Sequence, residues 1–308
     1  MSVTVKVPAS TANLGSGYDA FGLALAMHNT VSAAFSAGGW GVSVTGEGAD
    51  MVSLDAENRV ASAMAHLFAE AGERGRSASI TCDNGIPLGK GLGSSSAAIV
   101  GGLVAANELL SRPFSTDDIF RMAARLEGHP DNVAAALYGA FTICWQEEDG
   151  PRAARVAPPG GIAAVCVVSD APLSTKAARA LLPLEVPHGD AAFDAGRAGL
   201  LATGIALGRA DLIGAGMNDR LHEPYRAAAV TDLTVVREAL LQAGADGAAL
   251  SGAGPTVIGL VAGADDAEAL ARAAEVASRA AELLTGHEGR RTPAVVALDR
   301  AGAVLIDK

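Results

Sequence analysis

Residues 87 to 98 read Pro87-Leu88-Gly89-Lys90-Gly91-Leu92-Gly93-Ser94-Ser95-Ser96-Ala97-Ala98, and an Ala/Val/Leu-rich stretch of helical character follows to Leu110. The alternating Gly89, Gly91 and Gly93 let backbone amides come close to a ligand. Ser94, Ser95 and Ser96 add hydroxyl donors, and the helix that starts here aims the positive end of its dipole the same way. Such a run is an anion cradle, suited to nucleotide phosphates. A Gly/Ser surface loop that happens to precede a helix is the plainer alternative. Two familiar phosphate motifs are excluded. Gly85-Ile86-Pro87-Leu88-Gly89-Lys90-Gly91 is one residue short of a P-loop between its glycines, and Gly91 stands where a Ser or Thr should follow the lysine. The glycines also lack dinucleotide-fingerprint spacing, and no first strand with an acidic partner about 20 residues on is evident.

Other segments carry glycine or short polar side chains in patterns that can do chemistry. Pro8-Ala9-Ser10-Thr11-Ala12-Asn13-Leu14-Gly15-Ser16-Gly17-Tyr18-Asp19 leaves a strand and can fold around a small ligand, with the Asn13 amide and the Asp19 carboxylate aimed inward. Asn and Asp are also ordinary turn formers. Ser251-Gly252-Ala253-Gly254-Pro255-Thr256 is a glycine turn between strands that lets backbone pass close to a phosphate or substrate. Glu127-Gly128-His129-Pro130-Asp131-Asn132 joins a helix to a strand and is too short and polar to be merely a linker. Glu127 at a helix C-terminus opposes the dipole, which points to a cation nearby, although a solvated last-turn acid and a capping His129 are the simpler readings.

The elements that must hold these loops are mixed. Alternation at Val3, Val5, Val7 and at Val42, Val44 predicts strands, and Ala61 to Ala71 and Ser96 to Leu110 predict helices. Ser115-Thr116-Asp117-Asp118 caps a helix running to about Glu127, and Gly139 to Trp145 reads as a strand. Composition shifts at 146 to 161, where charge gives way to Pro158-Pro159-Gly160-Gly161, so a domain boundary is placed near residue 155. Beyond it, Ile162 to Ser169 is a strand, Asp190 to Leu207 and Thr231 to Gln242 are helical, and Ala248 to Leu260 is a strand pair around the glycine turn. Asp265 to Leu284 is a long helix and Ala294 to Leu298 a closing strand, which makes this half α+β.

Composition narrows the partners. The chain has 308 residues, half of them apolar and 4% aromatic, enough for a substantial core built from Leu, Val and Ala. Its net charge of -11 without a Lys/Arg cluster excludes a phosphate-tracking nucleic-acid surface and favours small polar substrates. Cys82, Cys144 and Cys166 are far apart and set among apolar neighbours, as expected of reduced structural thiols in a cytoplasmic protein. No basic segment followed by an apolar one opens the chain, so no secretory signal is expected. The long uncharged window from Gly247 to Ala264 is broken by Gly252, Gly254, Pro255 and Gly259, so no membrane span is expected.

Loops at 8 to 19, 87 to 98 and 251 to 256, in this order and in a chain of this size, resemble the three motifs of the GHMP kinases, small-molecule kinases that use ATP. Glu127-Gly128-His129-Pro130-Asp131-Asn132-Val133-Ala134, Ser174-Thr175-Lys176-Ala177-Ala178-Arg179 and Asp219-Arg220-Leu221-His222-Glu223-Pro224-Tyr225-Arg226 are similar to the homoserine kinases of that clan, over nearly the whole chain. The resemblance implies an α+β, two-domain fold: a mixed α/β nucleotide-binding domain over 1–155 and an α+β sandwich domain over 156–308. It also implies ATP-dependent phosphorylation of the homoserine hydroxyl, on the route to threonine, by a homodimer.

By that resemblance Asn13, Asp19, His129, Asp131 and Asn132 surround homoserine, while Arg179 and Arg226 hold its carboxylate by forked, charge-assisted hydrogen bonds. Surface helix charge is the alternative for both arginines. ATP falls to Pro87, Gly89, Lys90, Gly91, Leu92, Gly93, Ser94, Ser95, Ser96, Ala97 and Gly254, with Thr175 near the phosphates and Asn58 near the adenine. Lys90 is either a charge beside the nucleotide or a solvated loop-tip lysine. Magnesium falls to Glu127 and Ser95, although some homoserine kinases carry a further acid where this chain has Arg125. Sugar and mevalonate kinases of the clan place an aspartate at the position of Asn132. Because an amide cannot be a general base, Asn132 is expected to orient the hydroxyl, whose proton passes to the phosphate or to solvent, with Asp131 the other acceptor. A kinase for another hydroxy-amino acid and an inactive sensor of the same fold are the alternatives.

Overall fold

The structure, a computed structural model, describes residues 2–171, 173–287, 289 and 292–307. The first half runs β1 (Ser2–Asn13), β2 (Gly17–Ser36), β3 (Gly41–Gly46), α1 (Arg59–Glu70), β4 (Ser77–Asn84), α2 (Ser94–Leu109), α3 (Thr116–Glu127), α4 (Asp131–Tyr138), β5 (Phe141–Glu147) and β6 (Gly150–Val156). The second half runs β7 (Gly161–Val167), α5 (Thr175–Ala180), α6 (His188–Leu207), α7 (Ala210–Gly216), α8 (Glu223–Arg226), α9 (Leu233–Ala243), β8 (Gly247–Leu250), β9 (Val257–Gly263), α10 (Asp266–Leu283), β10 (Ala294–Ala297) and β11 (Val304–Asp307).

The alternation that predicts a strand at Val3 to Val7 starts β1, and these valines are fully buried. β1 continues past Val7 into the first glycine loop and ends at Asn13, so Ser10 and Asn13 are strand residues. β2, its antiparallel partner of 20 residues, has no counterpart in the sequence reading. Its pairing with β1 shifts register opposite Pro8/Ala9 and Ala12/Asn13, which resets the in-out phase and hides the strand from a period-two pattern. The sheet runs β11-β1-β2-β4-β3, with β5 paired to β2 and β6 to β5, and α1, α2 and α4 pack against it. β3 pairs parallel to β4 and the other pairs are antiparallel. The expected cap of α3 is present as a reciprocal Ser115–Asp118 capping box, and Gly128 ends the helix at φ 89°.

β6 ends at Val156 and β7 opens the second sheet, β10-β7-β9-β8, which is antiparallel throughout. Along β7, Ala163, Val165 and Val167 join the core under α9 and α10, whereas Ile162, Ala164 and Cys166 join a larger core shared with the first sheet. Helices on one face of this sheet and the shared core on the other make an α+β layering, as expected. β11 was not anticipated, and it returns the chain to the first sheet beside β1. Cys82, Cys144 and Cys166 are free and buried, as expected. Among the described residues no helix is long and apolar enough to cross a membrane.

Candidate active site

The three glycine loops, far apart in sequence, are bonded to one another. Ser10 N–H donates to Leu92 O at 3.1 Å and Thr256 N–H to Lys90 O at 3.3 Å. Gly252 N–H donates to Ala12 O at 2.9 Å, the Asn13 amide to Gly252 O at 2.8 Å, and the Ser251 hydroxyl to Gly91 O at 2.7 Å. Glycine is required where they meet. Gly91 sits at φ +78°, and a Cβ there would lie 2.4 Å from Ser251 O and 2.7 Å from Gly254 O. Gly93, at φ +71°, caps α2, and no side chain caps the first turn, so its orphan amides stay available to an anion. They face a cavity of about 400 Å³, whose apolar wall comes from Val44, Val52, Cys82 and Leu88.

Glu127, the last residue of α3, turns into this cavity at the start of α2. It accepts the Ser95 hydroxyl at 2.6 Å and the Ser96 hydroxyl at 2.9 Å. The Arg59 guanidinium, from the first turn of α1, stands 3.5 Å away. A carboxylate that opposes its own helix dipole is thus answered by two hydroxyls, a cation and the positive end of α2, in line with the cation expected from sequence. Arg59 itself was missed, because its role depends on how α1 and α3 approach. Glu127 and Ser95 together present hard oxygen donors, the kind magnesium prefers.

The turn after α3 carries the next cluster. Asp131 Oδ1 accepts its neighbour's backbone Asn132 N–H at 2.7 Å and lies 2.7 Å from His129 Nδ1. Burial opposes protonation of His129, but its hydrogen bond to Asp131 and the charges of Asp131 and Glu127 outweigh that, raising its pKa above the ordinary histidine value. Asn132 is buried, and its Oδ1 accepts the Ser10 hydroxyl at 2.9 Å.

The remaining wall comes from the C-terminal half. Arg179, on α5, grips Asp19 with both terminal nitrogens, at 2.9 and 2.7 Å, and donates to Tyr18 Oη at 3.0 Å. Arg226, on α8, is 1% exposed, which overturns surface helix charge as its explanation. It donates to Gly252 O at 3.0 Å and to His222 Nδ1 at 3.1 Å, and among the described residues its Nε has no partner. Burial lowers the Arg226 pKa and, with the neighbouring Arg226 charge, depresses that of His222 to about 4, so His222 is neutral and its Nε2–H donates to Gly15 O at 2.8 Å. Tyr18 and His222 had no role in the sequence reading, since nothing in their spacing foretells that one lies beneath Arg226 and the other against it.

Asn13, Asp19, Asn58, Gly89, Lys90, Gly91, Gly93, Ser94, Ser95, Ser96, Glu127, His129, Asp131, Asn132, Thr175, Arg179, Arg226 and Gly254 all line the one cavity. Pro87, Leu92 and Ala97 do not. Leu92 and Ala97 are fully buried core residues that set the path of the loop. Lys90 lines the cavity and is not a free loop-tip lysine: Nζ donates to Asp170 O at 2.6 Å and Ala171 O at 3.3 Å. Asn58 caps α1 through Val60 N–H at 2.9 Å and donates to Ser53 O at 2.7 Å, so it shapes the loop as well as lining the cavity.

The GHMP kinases N terminal domain family matches residues 58–140, and the GHMP kinases C terminal family matches residues 201–277. The chain is 41% identical to the homoserine kinase of Microchaete diplosiphon, covering 90% of each chain. It is 38% identical to that of Trichormus variabilis, covering 98% of each. The crystal structure of homoserine kinase from Cytophaga hutchinsonii superposes with a TM-score of 0.86 at 28% identity, covering 99% of this chain and 97% of that one.

Proposed function

The chain belongs to the homoserine kinases of the GHMP kinase family, and from that premise we infer that it transfers the γ-phosphoryl group of ATP to the side-chain hydroxyl of L-homoserine, giving O-phospho-L-homoserine for threonine synthesis. The observation that carries the acceptor is the Asp19–Arg179 ion pair, placed with the buried Arg226 on the same cavity as the α2 N-terminus. An opposed carboxylate and guanidinium are complementary to a zwitterion. The α-ammonium of homoserine replaces Arg179 on Asp19, and its α-carboxylate takes the freed guanidinium and the buried, unpartnered Nε of Arg226.

The γ-phosphoryl group lies at the first turn of α2, whose amides and serine hydroxyls stabilise its charge. Thr175 closes the phosphate side, and the bonds of Lys90 to Asp170 O and Ala171 O fasten the phosphate loop to the segment leading into α5. The adenine takes the apolar wall beside Asn58. Glu127 and Ser95 would hold magnesium, which would supply charge neutralisation for the transferring group. Asn132 orients the homoserine hydroxyl in line with the phosphorus. Asp131 Oδ1 is engaged by His129 and by the Asn132 N–H, which makes that oxygen a weaker base and favours direct passage of the hydroxyl proton to a phosphoryl oxygen. The free, buried thiols suit a reducing cytoplasm.

Two truncated acceptors test this reading. 3-Aminopropan-1-ol lacks the carboxylate of homoserine and 4-hydroxybutanoate lacks its ammonium; each is expected to lose about 100-fold or more in kcat/KM. Phosphorylation of 3-aminopropan-1-ol as efficient as that of homoserine would overturn the zwitterion site.

A further inference from the structure

The phosphoryl-transfer reading gives Asn132 the task of orienting the acceptor hydroxyl, and an amide can do this in two opposite ways. Its oxygen can accept the hydroxyl proton, or its NH₂ can donate to the hydroxyl oxygen. Amide oxygen and nitrogen are alike in shape, so the surrounding hydrogen bonds decide.

Ser10 is fully buried within β1, where its own N–H is spent on Leu92 O at 3.1 Å. Its hydroxyl donates to Asn132 Oδ1 at 2.9 Å. Gly93 closes off the space beside it: a Cβ at Gly93 would fall 2.0 Å from Ser10 Oγ, so this hydroxyl is packed against the backbone that begins α2. On the other side of Asn132, Nδ2 lies 4.0 Å from where a Gly252 Cβ would stand and 3.4 Å from Asp131 Oδ1. The amide oxygen faces the strand, and the NH₂ faces the glycine turn that lines the cavity.

We propose that Ser10 is a positioning residue for phosphoryl transfer: with Asp131 setting the sense of the Asn132 amide, the Ser10 hydroxyl anchors its inward oxygen, so that residue 132 meets the acceptor oxygen as a hydrogen-bond donor. The proposal rests on the homoserine kinase reading. A donor at this point occupies one lone pair of the hydroxyl oxygen, leaves another free to meet phosphorus, and turns the O–H toward the phosphoryl oxygens that receive its proton. A flipped amide would aim its carbonyl oxygen at the same anionic phosphate and repel it.

The test is a double-mutant cycle on the full chain, with wild type, Ser10→Ala, Asn132→Ala and the double variant measured for kcat and both KM values. Ser10→Ala is expected to lower kcat about 10-fold or more with the ATP KM within about twofold, and to have no further effect when Asn132 is already alanine. Ser10→Cys, which keeps the shape with a weak donor, is run beside it and should fall between alanine and serine. Multiplicative losses in the double variant, or wild-type kcat in both Ser10 variants, would overturn the proposal. A second readout needs no turnover. The Asn132 side-chain amide signals in a ¹⁵N NMR spectrum, identified by their loss in Asn132→Asp, should shift and broaden in Ser10→Ala, and unchanged signals would equally overturn it. If wild type fails to phosphorylate homoserine, the substrate assignment falls, while these signals still decide whether Ser10 holds the amide.

Discussion

Gly91 meets its neighbours backbone to backbone, with Ser251 O and Gly254 O where a side chain would start, whereas Arg179 and Asp19 meet through two side chains, each about one-third exposed. The phosphate side of the cavity is therefore fixed by the fold and has no slack. On the proposed acceptor side the contact is an Asp19–Arg179 ion pair, whose two members would exchange partners with a zwitterionic substrate. One half is preorganised for a charge common to all nucleotides, and the other is adjustable for the groups that distinguish one small hydroxy acid from another.

The largest effect expected on this contrast is from Gly91→Ala. Positive φ strain and overlap with two carbonyl oxygens together cost about 4 kcal/mol, so kcat/KM for ATP should fall by at least about 100-fold and the melting temperature should drop. Near-normal ATP kinetics in this variant would break the claim of a backbone-built site.

Arg226→Ala comes next, and Arg179→Ala after it. Each should raise the homoserine KM while leaving the ATP KM within about twofold, by roughly 3 kcal/mol for the buried Arg226 and nearer 2 kcal/mol for Arg179. Steady-state kinetics against each substrate separates the two halves, and a shared loss in ATP binding would merge them.

Glu127→Gln sharpens the phosphate side. The amide keeps the shape and can still accept a serine hydroxyl, so the melt should hold, while turnover should fall about 10- to 100-fold and demand more magnesium. Wild-type activity at limiting magnesium would remove Glu127 from the site.

These contrasts also explain what the sequence made legible. Gly91 and Gly93 could be read because a backbone-built cradle writes itself as glycine spacing, and α3 because its capping box is local. Glu127 could be read because an acid at the wrong end of a helix needs a reason. The Asp19–Arg179 pair spans 160 positions, and although each residue was a candidate through family resemblance, their contact has no local signature. Arg59, Tyr18, Ser10 and His222 were hidden for the same reason. β2 was hidden by the register shifts opposite β1, and β11 by being four residues long.

The smallest expected effect is on stability against pH, and it belongs to the acceptor side. His222, depressed to about 4, binds a proton less readily folded than unfolded, so its contribution is present above about pH 6.5 and is lost as pH falls, by up to about 3 kcal/mol. Burial raises Glu223 to about 7 and, with help from Asp219, Asp194 likewise; these hold protons longer in the folded state and lose stability as pH rises from about 4.5 to 7. Two raised carboxyls against one depressed imidazole leave wild-type stability falling as pH rises between about 5 and 7. Chemical denaturation of His222→Gln should then show a fall with pH steeper than that of wild type across that window, and an unchanged slope would remove His222 from the balance.

The most direct test of the central claim is product formation with competing acceptors. The chain is incubated with ATP, magnesium and, in separate reactions, L-homoserine, L-threonine, L-serine or mevalonate, with ADP release followed and the phosphorylated product identified by ³¹P NMR. Homoserine should give the highest kcat/KM and one O-phosphohomoserine per ADP. ADP release no faster with homoserine than without any acceptor, or faster transfer to mevalonate, would contradict the account.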